Sequence, residues 1–181
     1  VDRNTAAQTA AKLLGCDVDK LKDESDENSN IPSYSFEYDG GVISITQNGG
    51  MVSYILRSRE ITETKVKAEE AVKAAQKYLN DLGFTSMKES YYETSNGICT
   101  VNFAYEQDGV IVYPDLIKVS VALDNCDILS MDARGYIMSH TTRDVGTKIS
   151  QEEASKSVSN LLTIESCNKA IIPTDGENEV L

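Results

Sequence analysis

The stretch VKAEEAVKAAQKYL, Val66 to Leu79, places apolar side chains at helical intervals: Ala71, Ala75, Tyr78 and Leu79 share one stripe, with lysines and glutamates behind it. The same pattern recurs without gaps at VDRNTAAQTAAKLL (Val1 to Leu14) and ISQEEASKSVSNLL (Ile149 to Leu162). Val1, Val66 and Ile149 coincide, as do Ala6, Ala71 and Ala154, and Leu14, Leu79 and Leu162. Glu69-Glu70 and Glu152-Glu153 stand in the first turn, where carboxylates complement the helix dipole, and Ser150 suits an N-cap. Gly15 and Gly83 suit the position just past the C-terminus. The spacing predicts three helices of one design, an internal repeat.

After each helix the apolar period drops to two. In the first copy Tyr34, Phe36 and Tyr38 alternate with polar residues, Asp39-Gly40-Gly41 marks a turn, Ile43 and Ile45 follow, and Asn48-Gly49-Gly50 precedes a strand from Met51 to Leu56. The second copy predicts strands at Lys88 to Thr94, Ile98 to Tyr105, Val110 to Tyr113, Asp115 to Leu123 and Ile128 to Ala133. Ile117, Val119, Val121 and Leu123 form the face expected to meet the helix. The fold class is therefore α+β: tandem units at residues 1–61 and 62–146, each a helix packed on an antiparallel meander. Residues 147–181 make an incomplete third unit, a helix and a strand near Lys169 to Ile172: either the unit is cut short in this piece of the chain, or the strand borrows its partners from elsewhere. An unfinished unit exposes a strand edge, so a homodimer through it is expected. Units this small are also expected to pack on one another.

Of 181 residues, 29 are acidic and 17 basic, a net charge of −12, which opposes binding to nucleic acid phosphates or anionic lipid. With 40% apolar residues a folded core is expected. No apolar run reaches the roughly 18 residues of a membrane-spanning helix. A chain beginning at Val1 reads as a piece of a longer one, with any targeting segment outside it.

Chemistry is sparse. His140 is the single histidine, so nucleophile–base pairs and multi-histidine metal sites all compete for one imidazole. Cys16, Cys99, Cys126 and Cys167 lack C-x-x-C spacing, and Cys99, in phase with Val101 and Phe103, reads as a buried small hydrophobe rather than a thiolate partner for His140. The acidic run from Asp17 to Asn28 fails the EF-hand register and reads as a solvated loop; Asp175-Gly176-Glu177 reads as an ordinary turn. Asp115 and Asp132 are the carboxylates inside strand-rich sequence, and both are expected as surface or turn groups. No catalytic residue, metal ligand or cofactor site is expected. Tyr113, Asp115, Arg134, Tyr136 and His140 form the densest group of aromatic and polar residues and are the candidates for binding a partner; alternatively Tyr136, Ile137 and Met138 cap the second sheet.

The run YPDLIKVSVALDN (Tyr113 to Asn125) with ARGYIMSH (Ala133 to His140) resembles the PepSY-repeat region of the YpeB family of spore germination proteins. IPSYSFEY (Ile31 to Tyr38) and AEEAVKAAQKYLNDLGF (Ala68 to Phe84) fit the same pattern. One departure is Cys126, where the family usually carries glycine, so the residue must tolerate or avoid a positive φ. The resemblance implies PepSY-like units and a non-enzymatic extracytoplasmic protein of the endospore, tethered by an N-terminal membrane segment absent from this sequence, on the cortex side of the inner spore membrane. It implies as partner a cortex-lytic enzyme of the SleB type, which it would bind, localise, stabilise or restrain until germination. A peptidase-inhibitor module or a peptidoglycan-binding scaffold is the alternative; a cell-wall hydrolase is the enzymatic rival, motivated only by the acid surplus and the implied setting.

Overall fold

A computed structural model describes residues 1–146, 149–174, 176, 179 and 180. The first repeat gives α1 (Arg3–Leu14), a short 3₁₀ turn (Val18–Lys20), β1 (Lys22–Asp23), β2 (Ser33–Tyr38), β3 (Gly41–Thr46) and β4 (Val52–Leu56). The second gives α2 (Ala68–Asp81), β5 (Met87–Ser95), β6 (Ile98–Gln107), β7 (Val110–Ala122), β8 (Ile128–Asp132) and α3 (Arg134–Ser139). The remainder holds α4 (Gln151–Lys156), β9 (Ala170–Pro173) and β10 (Glu179–Val180).

Local chemistry sets the boundaries. The Asp2 side chain accepts from Thr5 N–H at 2.7 Å to start α1, and Gly15, at φ +75°, closes it with a bond to the Ala11 carbonyl. Ser150 and Glu153 form a reciprocal capping box at the start of α4. Three hairpins turn on Asp39-Gly40, Asn96-Gly97 and Asp108-Gly109, all four-residue turns with both central residues at positive φ, whose twist matches that of the strands. Cys126 tolerates the left-handed region outright, at φ +66°, and its N–H bonds the Ala122 carbonyl at 2.9 Å.

The strands run β1-β2-β3-β4-β8-β7-β6-β5, antiparallel throughout. The two meanders therefore do more than pack: β4 pairs with β8, Ile55 opposite Met131, and the sheets become one. Both helices lie on the same face. Ala6 and Ala10 of α1 and Ala71 and Ala75 of α2 are fully buried, and these small side chains bring the helix axes close to the sheet. One core runs from Phe36, Ile43 and Ile55 through Leu79 and Phe84 to Phe103, Ile117 and Val119.

Three elements depart from the sequence reading. The two strands expected on either side of Pro114 are one strand, β7, whose register with β6 jumps between Tyr105 opposite Val112 and Ala104 opposite Leu116. Tyr113, Pro114 and Asp115 bulge out there, since proline has no N–H for the ladder. The segment Arg134–Ser139, read as a cap or a binding stretch with no regular structure assigned, is a helix. The third copy of the repeat makes a helix of only six residues, and the rest of its apolar stripe covers nothing: Leu161 is 91% and Leu162 67% exposed. A helix with no face to bury gains little from extending, and among the described residues no strand packs closely beneath this one. The strand expected near Lys169 to Ile172 does borrow its partner, as β9 runs parallel to the N-terminal arm of β7, Ile171 beside Val112. Val110, Val112 and Ile171 make a small second core. Asp175 and Glu177 of the expected turn lie outside the described residues.

Leu79 and Leu162 occupy equivalent repeat positions in unlike surroundings. Leu79→Ala is expected to lower unfolding free energy by about 2–5 kcal/mol, and Leu162→Ala to stay within about 0.5 kcal/mol of the parent, in urea titrations followed by circular dichroism.

Candidate functional site

The β7 bulge turns Asp115 inward. Rather than the surface or turn carboxylate expected from sequence, it is a fully buried group, 0% exposed. Its charge is met from the segment after α3. Arg143, whose side chain is 8% exposed, donates from Nη1 to Oδ2 at 3.1 Å and from Nη2 to Oδ1 at 3.0 Å. His140 Nδ1 lies 2.7 Å from Oδ2, and Ser139 Oγ donates to Oδ1 at 3.1 Å. Gln107 of β6 grips the Arg143 backbone, donating to its carbonyl at 2.7 Å and accepting from its N–H at 3.1 Å. Both carboxylate oxygens of Asp115 thus have partners, as a buried charge requires.

Rings close the cluster. The His140 imidazole stacks on Tyr136 (centroids 4.3 Å, planes 16° apart) and meets Tyr105 edge-on at 4.6 Å. Tyr136 in turn meets Phe84 edge-on at 5.5 Å, reaching the main core. Burial pushes the Tyr136 hydroxyl above its ordinary pKa, with Tyr105 and Asp115 adding to the effect. The Ser139 hydroxyl beside the aspartate–imidazole pair is engaged elsewhere: its single proton is shared among Asp115 and the carbonyls of Pro114 and Gly135. Cys99 is buried in the core as expected, and burial raises its thiol pKa.

The five candidate binding residues therefore separate. Asp115, Tyr136 and His140 come together as the support of α3; Asp115, at 0% exposure, faces no solvent and holds His140, on which Tyr136 stacks. Tyr113 is the exposed first residue of the bulge. Arg134 belongs to a different place, the sheet face away from α1 and α2, where it clasps Asp132 from Nε at 2.9 Å and Nη2 at 2.5 Å and lies over the Tyr54 ring at 4.9 Å. That clasp holds the Asp132 carboxyl below the usual carboxylate range.

This second face carries a polar groove of about 610 Å³ at the β4–β8 seam. Ser33, Ser35, Ser44, Ser53 and Tyr54 form its floor, the loop Asp26 to Ile31 one wall, and Leu116, Lys118, Asp132, Arg134 and Met138 the other. Ser35 and Ser44 share a hydroxyl bond of 2.6 Å, and Ser53 Oγ donates to the Ser44 carbonyl at 3.2 Å. Ser33 Oγ is buried with no hydrogen-bond partner among the described residues, an arrangement that costs about 1–3 kcal/mol. Sequence reasoning missed this groove and missed Arg143. The serines alternate with the core residues of β2 and β3 and are visible as a polar face, but their alignment across the seam is a matter of register. Among the described residues, no three His, Cys, Asp or Glu side chains converge as metal ligands.

Asp115→Asn takes from Arg143 the buried carboxylate that accepts from both Nη atoms, and is expected to cost about 3–5 kcal/mol; an unchanged urea midpoint would contradict this. Because the folded pKa of Asp132 is depressed, its pairing stabilises the fold above the unfolded value of about 3.9, and that contribution is lost as pH falls through the folded value. Arg134→Ala is expected to return the Asp132 titration toward about 3.9 in a carboxyl NMR experiment.

Residues 1–146 match the family described as YpeB sporulation, PepSY1 and PepSY2 domains. Sporulation protein YpeB of Oceanobacillus iheyensis is 33% identical across 100% of this chain, which covers 42% of that protein. The namesake from Halalkalibacterium halodurans is 33% identical over 77% of the chain, equal to 31% of its own length. The chain thus spans less than half the length of these curated relatives. The Bacillus megaterium YpeB C-terminal domain superposes with a TM-score of 0.89 at 25% identity, covering 99% of this chain and 84% of that structure. With its α+β fold and its paired repeats, this chain belongs to the YpeB sporulation family.

Proposed function

We propose that the chain acts in spore germination as a non-catalytic binding module: on the cortex side of the inner spore membrane it holds a cortex-lytic enzyme of the SleB type, keeping it localised, stable or restrained until germination. The observation that carries the reading is the commitment of Asp115, His140 and Arg143 to one another. The one place where a carboxylate and the sole imidazole meet is spent on pinning α3 to β7. What the chain offers outward is surface.

The third repeat supplies surface of the right kind. Val158, Leu161, Leu162 and Ile164 are all exposed within one short segment, and clustered apolar side chains in water mark contact sites between proteins. Family membership supports the setting, since the relatives are named as sporulation proteins.

The test is co-purification of the whole extracytoplasmic region with the cognate lytic enzyme. A stable complex that slows proteolysis of the enzyme or lowers its release of muropeptides is expected, and Leu161→Asp with Leu162→Asp is expected to weaken it at least about tenfold, roughly 1.4 kcal/mol. No complex, with no change in enzyme activity or survival, would remove the proposal. Light scattering on the same preparation tests self-association through the third repeat: a monomer mass at all concentrations removes it.

A further inference from the structure

We propose that the groove on the polar face of the sheet is a saccharide-binding site, for a short glycan bearing acetamido groups. This does not rest on the lytic-enzyme reading and involves a different surface. Its volume of about 610 Å³ falls within the roughly 300–1,000 Å³ of small-molecule sites.

A sugar presents hydroxyls that donate and accept at once, so its site needs both kinds of group side by side. The serine hydroxyls and Tyr54 do both. Lys118 stands opposite Asp132 across the β7–β8 pair and makes no salt bridge among the described residues, leaving its ammonium donors available at the wall. Asp132 accepts from Arg134 and retains further lone pairs, a carboxylate offering about four. Ser33 is the second, independent sign: the residue lines the groove, is 7% exposed, and its buried hydroxyl has no hydrogen-bond partner among the described residues, so a turn of χ1 toward the groove would gain it a partner from a ligand hydroxyl.

Charge narrows the ligand. Lys118 and Arg134 offset Asp26 and Asp132, so the groove is locally balanced in a chain of net charge −12. A polyanion would meet the two carboxylates, and a polycation the two cations, which leaves a neutral polar chain as the favoured occupant. Leu116 and Met138 on the same wall give methyl groups an apolar contact, which an acetamido sugar uses and a plain glucan does not.

The experiment is an amide NMR titration of the folded chain with chitotriose, with maltotriose as the comparison. Saturable shifts at Ser33, Ser44, Tyr54 and Lys118 are expected, with chitotriose the tighter ligand. Lys118→Ala alone, which breaks no ion pair, is expected to weaken binding about fivefold, and together with Asp132→Asn at least about tenfold, roughly 1.4 kcal/mol. Tyr91→Ala, on β5 and outside the groove lining, is expected to leave affinity unchanged. The proposal is overturned by the absence of saturable shifts up to about 10 mM, where a millimolar ligand is visible, by shifts centred elsewhere, or by variants that bind as the parent does. It is equally overturned by a short acidic or basic peptide binding more tightly than chitotriose. Equal binding of maltotriose overturns the acetamido assignment.

Discussion

The pairing of β4 with β8 is the constraint on which the rest of the molecule hangs. Each repeat taken alone has one helix and a few strands, a size at which little apolar surface can leave water. Placing Ile55 opposite Met131 merges the two cores, so that α1 and α2 lie on one continuous sheet and share one interior. Backbone bonds from Ala133 N–H to the Ser53 carbonyl and from Arg57 N–H to the Leu129 carbonyl extend the joint at both ends. The same register sets Tyr54 against Asp132 on the opposite face, and that alignment builds the groove. Core and candidate site are two faces of one pairing.

The fold class was legible because each side-chain period reports a buried face. The alternation of Phe36, Ile43 and Ile45 with serines, and of Ile117, Val119 and Val121 with polar residues, marks the helix-facing side of the sheet, and those residues are buried there. The Asp-Gly and Asn-Gly turns were legible because their backbone conformation admits few other residues. What periodicity cannot carry is the partner of a strand. Nothing local to Val52–Leu56 says that its outer neighbour comes from the second repeat, and nothing local to Pro114 says that the chain resumes the same strand beyond the bulge.

The candidate site was legible only in part, for the same reason. Asp115, Tyr136 and His140 stood out as a dense group and do assemble. The residue that holds them together, Arg143, lies in a segment without periodicity, and the burial of Asp115 depends on the bulge. Arg134 stood out as well, yet belongs to the other face. The third repeat is the converse case: its pattern is as good as that of α2, but helical pattern becomes helix when a sheet takes the stripe, and Leu79 has such a sheet whereas Leu162 does not.

The bulge at Pro114 divides one side of β7 between two neighbours, β8 along its C-terminal half and β9 along its N-terminal arm. Without β9 that arm would present unpaired N–H and carbonyl groups flanked by Val110 and Val112, a template for adding strands from other molecules. The ends of the sheet are blunted by other means: β1 has only two residues, Lys22 and Asp23, and β5 carries Lys88, Glu89 and Glu93 beside a bulge at Glu89 to Tyr91. β9 is thus a built-in guard against aggregation, supplied by the segment whose own helix the fold leaves unfinished.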